Sequence, residues 1–385
     1  MHSAKGQKPQ RAFDDTGSAG EENPAYLNRQ LITYLGNKRA LLPFIGRGLE
    51  EARRRLGKTR LALFDVFSGS GIVSRFFRKY SSLLVANDCE LYATIISRCY
   101  LHNADRKFLR ALAETHAGLL AALNEKPLRK GILSRLYAPR DDNDIRPGER
   151  VFYTARNARY IDTARKLIGK LQPQDIPFFL APLLSEASIH ANTSGVFKGF
   201  YKCQDSGTGR FGGTKADALS RILGNITLPF PVFSSFSCPV RIFQEDAALA
   251  AEKAPEVDLA YLDPPYNQHP YGSNYFMLNL IAEYREPRSL SPVSGIPQDW
   301  NRSAYNSRVH ARDAFAALVQ KLKAKFLLIS FNSEGFIPRE EMLALLRKTG
   351  KVSVLQTRYN AFRGSRNLKA RDIHTTEYLY LVERR

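Results

Sequence analysis

At 385 residues the chain exceeds the usual size of one domain and can bury a substantial core, so one large domain carrying an inserted second one is the natural organisation. Lys and Arg outnumber Asp and Glu by 57 to 37, a formal net charge of +20; such an excess draws a protein to polyanions, nucleic acid first among them, although charge alone also admits a solvated basic surface with no partner. Cys89, Cys99, Cys203 and Cys238 form no CxxC pair and no zinc-spaced cluster with the histidines, and no apolar run approaches the ~20 residues that span a bilayer or resembles a secretory signal, so the expectation is a soluble, cytoplasmic protein without a metal.

Residues 1–28 are rich in Gly, Ser, Lys, Gln and Glu, carry few large apolar side chains, and read as a disordered tail. Tyr34-Leu35-Gly36-Asn37-Lys38 follows, and then a helical stretch from Leu41 to Leu56 that stops at Gly57. The apolar run Leu61 to Phe67 predicts a buried strand. It breaks at Ser68-Gly69-Ser70-Gly71, continues as a helix from Ile72 to Tyr80, and returns as the strand Leu83 to Ala86 before Asn87-Asp88. Strand, glycine turn, helix and strand make a βαβ unit. From 104 to 238 the texture changes to polar helical segments, Pro-bounded loops and the Gly-rich stretch Ser206 to Gly213, as in an inserted segment. Strand signals resume at Val240 to Phe243, Val257 to Leu262 and Phe326 to Ser330. A helix over 338–348 then precedes a strand pair, Val352 to Tyr359 and Glu377 to Val382, which fits a sheet ending in an antiparallel hairpin. The expected fold is α/β: a Rossmann-like, doubly wound sheet over 29–103 and 239–385, interrupted by a mostly helical 104–238.

In an open α/β sheet a ligand sits outside the carboxyl ends of the strands, at the first strand-to-helix turn. Here that turn is Asp65-Val66-Phe67-Ser68-Gly69-Ser70-Gly71. A carboxylate at Asp65 can bind an ammonium group over the sheet edge, and Asp88, ending the second strand, is placed to accept hydrogen bonds from both hydroxyls of a ribose. The loop suits a nucleoside carrying an amino acid. Gly69-Ser70-Gly71-Ile72-Val73-Ser74 also nearly spells GxGxxG, with Asp88 close to the ~20-residue offset of an NAD site, so the loop alone admits a dinucleotide as well. Ser74 in place of the third glycine weighs against that reading.

Asp263-Pro264-Pro265-Tyr266 stands directly after a strongly apolar strand, again at a carboxyl end of the sheet. Two successive prolines fix the backbone and remove two N–H donors, so the carbonyl of Pro264 and the carboxylate of Asp263 can face one point as acceptors. An exocyclic amine fits between them. Held by its protons, the amine lone pair of an adenine would localise toward an electrophile, while Tyr266 offers a stacking face. An adenine paired in a duplex cannot reach such a pocket and has to be extruded, at a cost of a few kcal/mol. A Pro-Pro strand terminator beside a chance aspartate is the other reading of the tetrapeptide taken alone.

Together these residues resemble the α-group, Dam-like DNA adenine-N6 methyltransferases of the S-adenosylmethionine-dependent class, especially type II restriction-modification methylases of the FokI type. The likeness runs through Tyr34 to Lys38, Asp65 to Gly71, Asp263 to Tyr266, Asn267 to Tyr275, and Phe331-Asn332-Ser333-Glu334-Gly335. The order of the motifs, with a recognition segment between glycine loop and tetrapeptide, is that of the α group. The resemblance implies S-adenosylmethionine as cofactor, with Tyr34 and Lys38 flanking its methionine part, Phe67, Ser68, Gly69 and Gly71 wrapping it, Asp88 holding the ribose and Asp246 near the adenine ring. It implies double-stranded DNA as partner, target recognition by 104–238, no metal, and a cognate restriction endonuclease that shares the site without necessarily binding the methylase.

Three further segments bear on DNA. Ala191 to Lys202 mixes small polar residues, aromatics and cations; it reads either as a DNA-contacting loop or as an ordinary helix-loop boundary. Trp300 to Tyr305 is similar to a family segment near the flipped base. Arg358 to Arg371 interleaves cations with Tyr359 and Phe362, suited to gripping phosphates or simply to a solvated hairpin loop.

Competing chemistries leave different marks. Cytosine-C5 transfer needs a thiolate, usually in Pro-Cys, whereas this chain has Cys238-Pro239. Cytosine-N4 enzymes more often carry Ser before the two prolines. RNA methyltransferases share the fold, and a DNA-binding module with a dead cofactor site would be expected to have lost Gly69, Gly71, Asp263 or Tyr266, all of which are present.

Overall fold

The computed structural model describes residues 21–125, 127–213, 218–360 and 374–385. Seven strands form one sheet: β1 (Leu61–Asp65), β2 (Ser81–Asn87), β3 (Val240–Phe243), β4 (Val257–Leu262), β5 (Ala324–Asn332), β6 (Gly350–Asn360) and β7 (His374–Arg384). Their order is β3-β2-β1-β4-β5-β7-β6. Strands β1 to β5 run parallel, and β7 lies antiparallel between β5 and β6. Winding reverses between β1 and β4, and a ligand crevice is expected at such a switch point. The expected doubly wound sheet ending in an antiparallel pair is what the chain adopts.

Both faces are covered, as the uninterrupted apolar runs require. Period-2 alternation sends Leu61, Leu63, Leu84, Leu259 and Phe326 to one face, beneath the helices Leu42–Leu56 and Ile72–Phe77. Phe64, Val85, Ala260, Leu262 and Leu327 go to the other, beneath Ala247–Lys253, Ala311–Lys321 and Arg339–Arg347. Asp258 is a buried acid at the start of β4; it accepts from Lys58 Nζ at 2.7 Å and from the Ala62 amide at 2.9 Å.

Among the described residues of 104–238 the regular structure is helical, but helices take up less than half of the segment and its core is not separate. Helices Arg106–Glu125, Ala155–Ile168 and Ile176–Ile189 share one apolar cluster with Leu91–Tyr100, which follows β2, and Phe276–Glu283, which follows β4. Nor are all of its helices polar: Ile176–Ile189 is buried almost all round.

The tail reading to residue 28 is corrected at its end. Residues 24–28 form the helix Pro24–Asn28, capped by the Asn23 side chain and opened by a proline at its first position. Tyr26 is fully buried, its hydroxyl donates to the Tyr100 carbonyl at 2.6 Å, and the Arg75 guanidinium lies 5.6 Å from its ring centre. Leu27 packs beside it, and Glu22 accepts from Ser234 Oγ at 2.6 Å. Residues 1–20, and all of Arg358 to Arg371 beyond Asn360, lie outside the described residues.

Candidate active site

Asp65 ends β1 as a fully buried carboxylate. Its Oδ2 accepts from Ser74 Oγ at 2.6 Å, while Oδ1 finds no hydrogen-bond partner among the described residues. Burial pushes its carboxyl up to about 7, against the pull of the Ser74 hydroxyl. The chain then turns on two left-handed residues, Gly69 at φ +50° and Gly71 at φ +73°. A Cβ at Gly69 would come 2.9 Å from the Tyr34 ring, so the position demands glycine for space as well as for angle. The Gly69 amide donates to Asp88 Oδ2 at 2.7 Å and the Glu90 amide to Oδ1 at 2.9 Å, which fixes Asp88 against the loop. Burial raises Asp88 to about 6, and these backbone donors oppose the rise.

One cavity gathers Tyr34, Lys38, Phe67, Ser68, Gly69, Asp88, Asp246, Asp263 and Pro265 on its wall. Asp65, Gly71 and Pro264 do not line it. Asp65 supports the loop from beneath, Gly71 caps the helix Ile72–Phe77, and Pro264 is packed in. Asp246 is exposed at the mouth and accepts from the Ala248 amide at 2.9 Å as the cap of Ala247–Lys253. Phe67 meets the Tyr305 ring edge-on at 5.2 Å, so the Trp300 to Tyr305 segment closes the cavity from the side. Arg302 lies over the Trp300 ring at 4.4 Å, and Asn301 donates to Glu90 Oε2 at 3.3 Å.

Tyr266 borders an adjoining cavity with Lys38, Asn332, Thr375 and Glu377. Its ring meets Phe331 edge-on at 5.9 Å, and its carbonyl accepts from the Phe336 amide at 3.0 Å. Lys38 stands on the wall of both cavities, and Asp263 on that of the first. Lys38 Nζ lies 3.2 Å from Asp263 Oδ1 and 3.9 Å from Glu377 Oε2, and 5.7 Å from the Tyr266 ring centre. Burial alone would pull the Lys38 ammonium down, but Asp263 and Glu377 together hold it well above the ordinary lysine value. Burial pushes Asp263 up to about 6; Lys38 works against that push and Glu377 adds to it.

Lys38 reaches this position because its segment is clamped. Leu35 donates to the Tyr275 hydroxyl at 2.7 Å and accepts from the Tyr271 hydroxyl at 3.1 Å, while the Tyr34 ring stacks on those of Tyr271 and Tyr275 at 5.0 and 4.8 Å. Glu377 is the member that sequence reasoning missed. Its one signal was phase: it alternates with the buried Thr375, Leu379 and Leu381, an unusual place for an acid.

The Ala191 to Lys202 segment divides. Asn192 is buried and knits the carbonyls of Val151 and Arg210 at 2.7 and 2.8 Å, and the Phe197 amide donates to the Asn274 carbonyl at 2.7 Å, tying the segment to the helix beside Tyr275. Ser194, Lys198, Gly199 and Lys202 face solvent. Among the described residues no group of three or more His, Cys, Asp or Glu could hold a metal ion, and no helix is long and apolar enough to cross a membrane.

A parallel sheet reversing at β1 and β4, a two-glycine turn at the switch point and an Asp-Pro-Pro-Tyr corner facing it define a methyltransferase. The particular family is given by residues 34–344, which match the model of the D12 class N6 adenine-specific DNA methyltransferases; the chain belongs to that family. It is 29% identical over 332 residues to the type II methyltransferase M.NlaIII of Neisseria lactamica, across 83% of this chain and 90% of that protein. To the type II methyltransferase M.CviAII of Paramecium bursaria Chlorella virus 1 it is 28% identical over 359 residues, across 91% and 98%. The type II methyltransferase M.FokI of Planomicrobium okeanokoites is 24% identical over 363 residues, which cover 92% of this chain and 53% of that one. The likeness to type II methylases, the FokI kind included, is borne out.

Proposed function

We propose that this D12-class enzyme uses S-adenosylmethionine to methylate N6 of an adenine flipped out of a specific duplex sequence, as the modification partner of a restriction endonuclease. The observation that carries the reading is a pair of cavities that share Tyr34, Gly36, Asn37 and Lys38 as a common wall, one lined by the Asp88 carboxylate, the glycine turn and Asp263, the other by the Tyr266 ring. The first cavity fits the donor. Asp88 offers a fixed carboxylate for ribose hydroxyls; Phe67 and Tyr305 give an aromatic wall, with Asp246 at the mouth, while Asp65, beneath the loop, would act through the turn that it supports. S-adenosylmethionine would supply an electrophilic methyl group there.

Tyr266 would stack on the extruded base, offsetting part of the cost of unstacking. Asp263 and the Pro264 carbonyl would accept hydrogen bonds from the two N6 protons, turning the lone pair toward the methyl carbon. Transfer of the methyl carbon from sulfur to nitrogen, with the broken bond's electron pair left on sulfur, would give the nitrogen a surplus proton, and Asp263 would accept it. Residues 29–103 and 239–385 would form the catalytic part and 104–238 the reader of the target site, with the protein working on DNA in the cytoplasm.

Expression in a host without adenine methylation, followed by mapping of modified adenines across its genome, tests this reading. N6-methyladenine confined to one short sequence is the expected result. Modified cytosine, or no modified base with a folded protein, overturns it.

A further inference from the structure

β7 carries an acid into a place where its neighbours in phase are the buried Thr375 and Leu379. Glu377 is 3% exposed and its Oε2 has no hydrogen-bond partner among the described residues, yet that oxygen lies 3.9 Å from Lys38 Nζ, which lies 3.2 Å from Asp263 Oδ1. One buried ammonium is thus flanked by two carboxylates, Glu377 buried and Asp263 partly exposed. A lysine needed only as an ion-pair partner for Asp263 would be satisfied by Asp263 alone. A second carboxylate, itself buried, makes the cluster net negative, which costs solvation and needs a return.

We propose that Glu377 is a positioning residue for methyl transfer: through Lys38 it holds Oδ1 of Asp263 on the ammonium, leaving the other carboxylate oxygen for the substrate amine, and its charge keeps Asp263 a strong proton acceptor. The inference rests on Asp263 being the amine acceptor. A neutral Asp–Lys pair would resist taking up the surplus N6 proton, because doing so would leave an unpaired buried cation. With Glu377 present, the protonated Asp263 leaves a Lys–Glu pair behind, and charge stays balanced.

The groups facing Asp263 are Lys38 from the N-terminal segment, Glu377 from β7, Asp65 from the end of β1, and the phenols of Tyr261, Tyr266 and Tyr271; Glu334 stands near Tyr266. Of these, Glu377 pushes the Asp263 carboxyl up and Lys38 pulls it down. Removing one or the other therefore moves Asp263 in opposite directions, which loss of packing alone would not do.

The test is the pH profile of single-turnover transfer into unmodified duplex carrying the mapped site, with donor and DNA saturating, so that titration of the donor-side Asp65 and Asp88 is suppressed. In Glu377→Gln the acid limb should move to lower pH and the plateau rate fall by roughly threefold to thirtyfold as the acceptor weakens. In Lys38→Met the limb should move to higher pH. Glu377→Asp keeps the charge but draws it back by one methylene; it should shift the limb less than Gln, and it serves if the Gln variant does not fold. Should neither Glu377 variant fold, the Lys38→Met limb decides, an unmoved limb overturning the cluster's role. Limbs unmoved by Glu377→Gln, or moved the same way in the Gln and Met variants, overturn the assignment of Glu377. Asp263→Asn at the parental rate would instead overturn the reading of Asp263, and separates that failure from this one.

Discussion

Asp263 is held by the Lys38 cation on the wall of the cavity that the glycine turn and Asp88 also line. Its bond to the amine should tighten as the nitrogen goes from planar to tetrahedral. Asp263→Ala is therefore expected to slow single-turnover transfer by about 10² to 10³, the usual loss for one preorganised transition-state partner, while donor and DNA affinities stay within a few-fold. Asp263→Asn should be milder, since an amide oxygen still accepts. An Ala variant as fast as its parent removes the residue from the chemistry. Gly69 makes the complementary prediction about binding. An alanine there meets both a left-handed backbone and the Tyr34 ring at 2.9 Å, so strain of about 1–2 kcal/mol should weaken the donor by about tenfold in calorimetric titration. Equal affinities in the two proteins would mean that the turn does not shape the donor site.

At the scale of elements, what was legible followed a period. β1, β2, β4 and β5 each carry four successive apolar residues, and the Gly69–Gly71 break and the Asp-Pro-Pro-Tyr corner sit at the carboxyl ends of β1 and β4, so both sides of the cavity could be located from residues alone. Two things had no such signature. Pro24–Asn28 is too short for a helical period and is held chiefly by Tyr26, packed far along the chain against Tyr100 and Arg75, with Leu27 beside it. Glu377 acquires its meaning only when β7 pairs with β5 and brings it beside Lys38, a contact that no local pattern encodes. The short helix can be weighed directly. Tyr26→Ala should cost about 3–5 kcal/mol in urea unfolding, and Tyr26→Phe about 1–3 kcal/mol for the Tyr100 carbonyl left buried without its donor. If both variants unfold at the parental midpoint, the helix is an ornament.

For the whole molecule the net charge of +20 sets the terms of association. Each phosphate neutralised should contribute about −0.9 to the slope of log affinity against log salt, so binding to duplex DNA ought to weaken steeply and linearly on that plot. Fluorescence anisotropy with a labelled duplex measures it; an affinity indifferent to salt would show that the basic excess serves something else. The sheet order has a consequence in time. β7 is made after every other strand, yet it lies inside the sheet, between β5 and β6. During synthesis the glycine turn can close and the edge of β5 stands open, while Asp263 waits for a companion carboxylate not yet translated. Until β7 pairs with β5, both the sheet and the cluster around Lys38 stay incomplete, so the closing of the sheet and the closing of the site are one event.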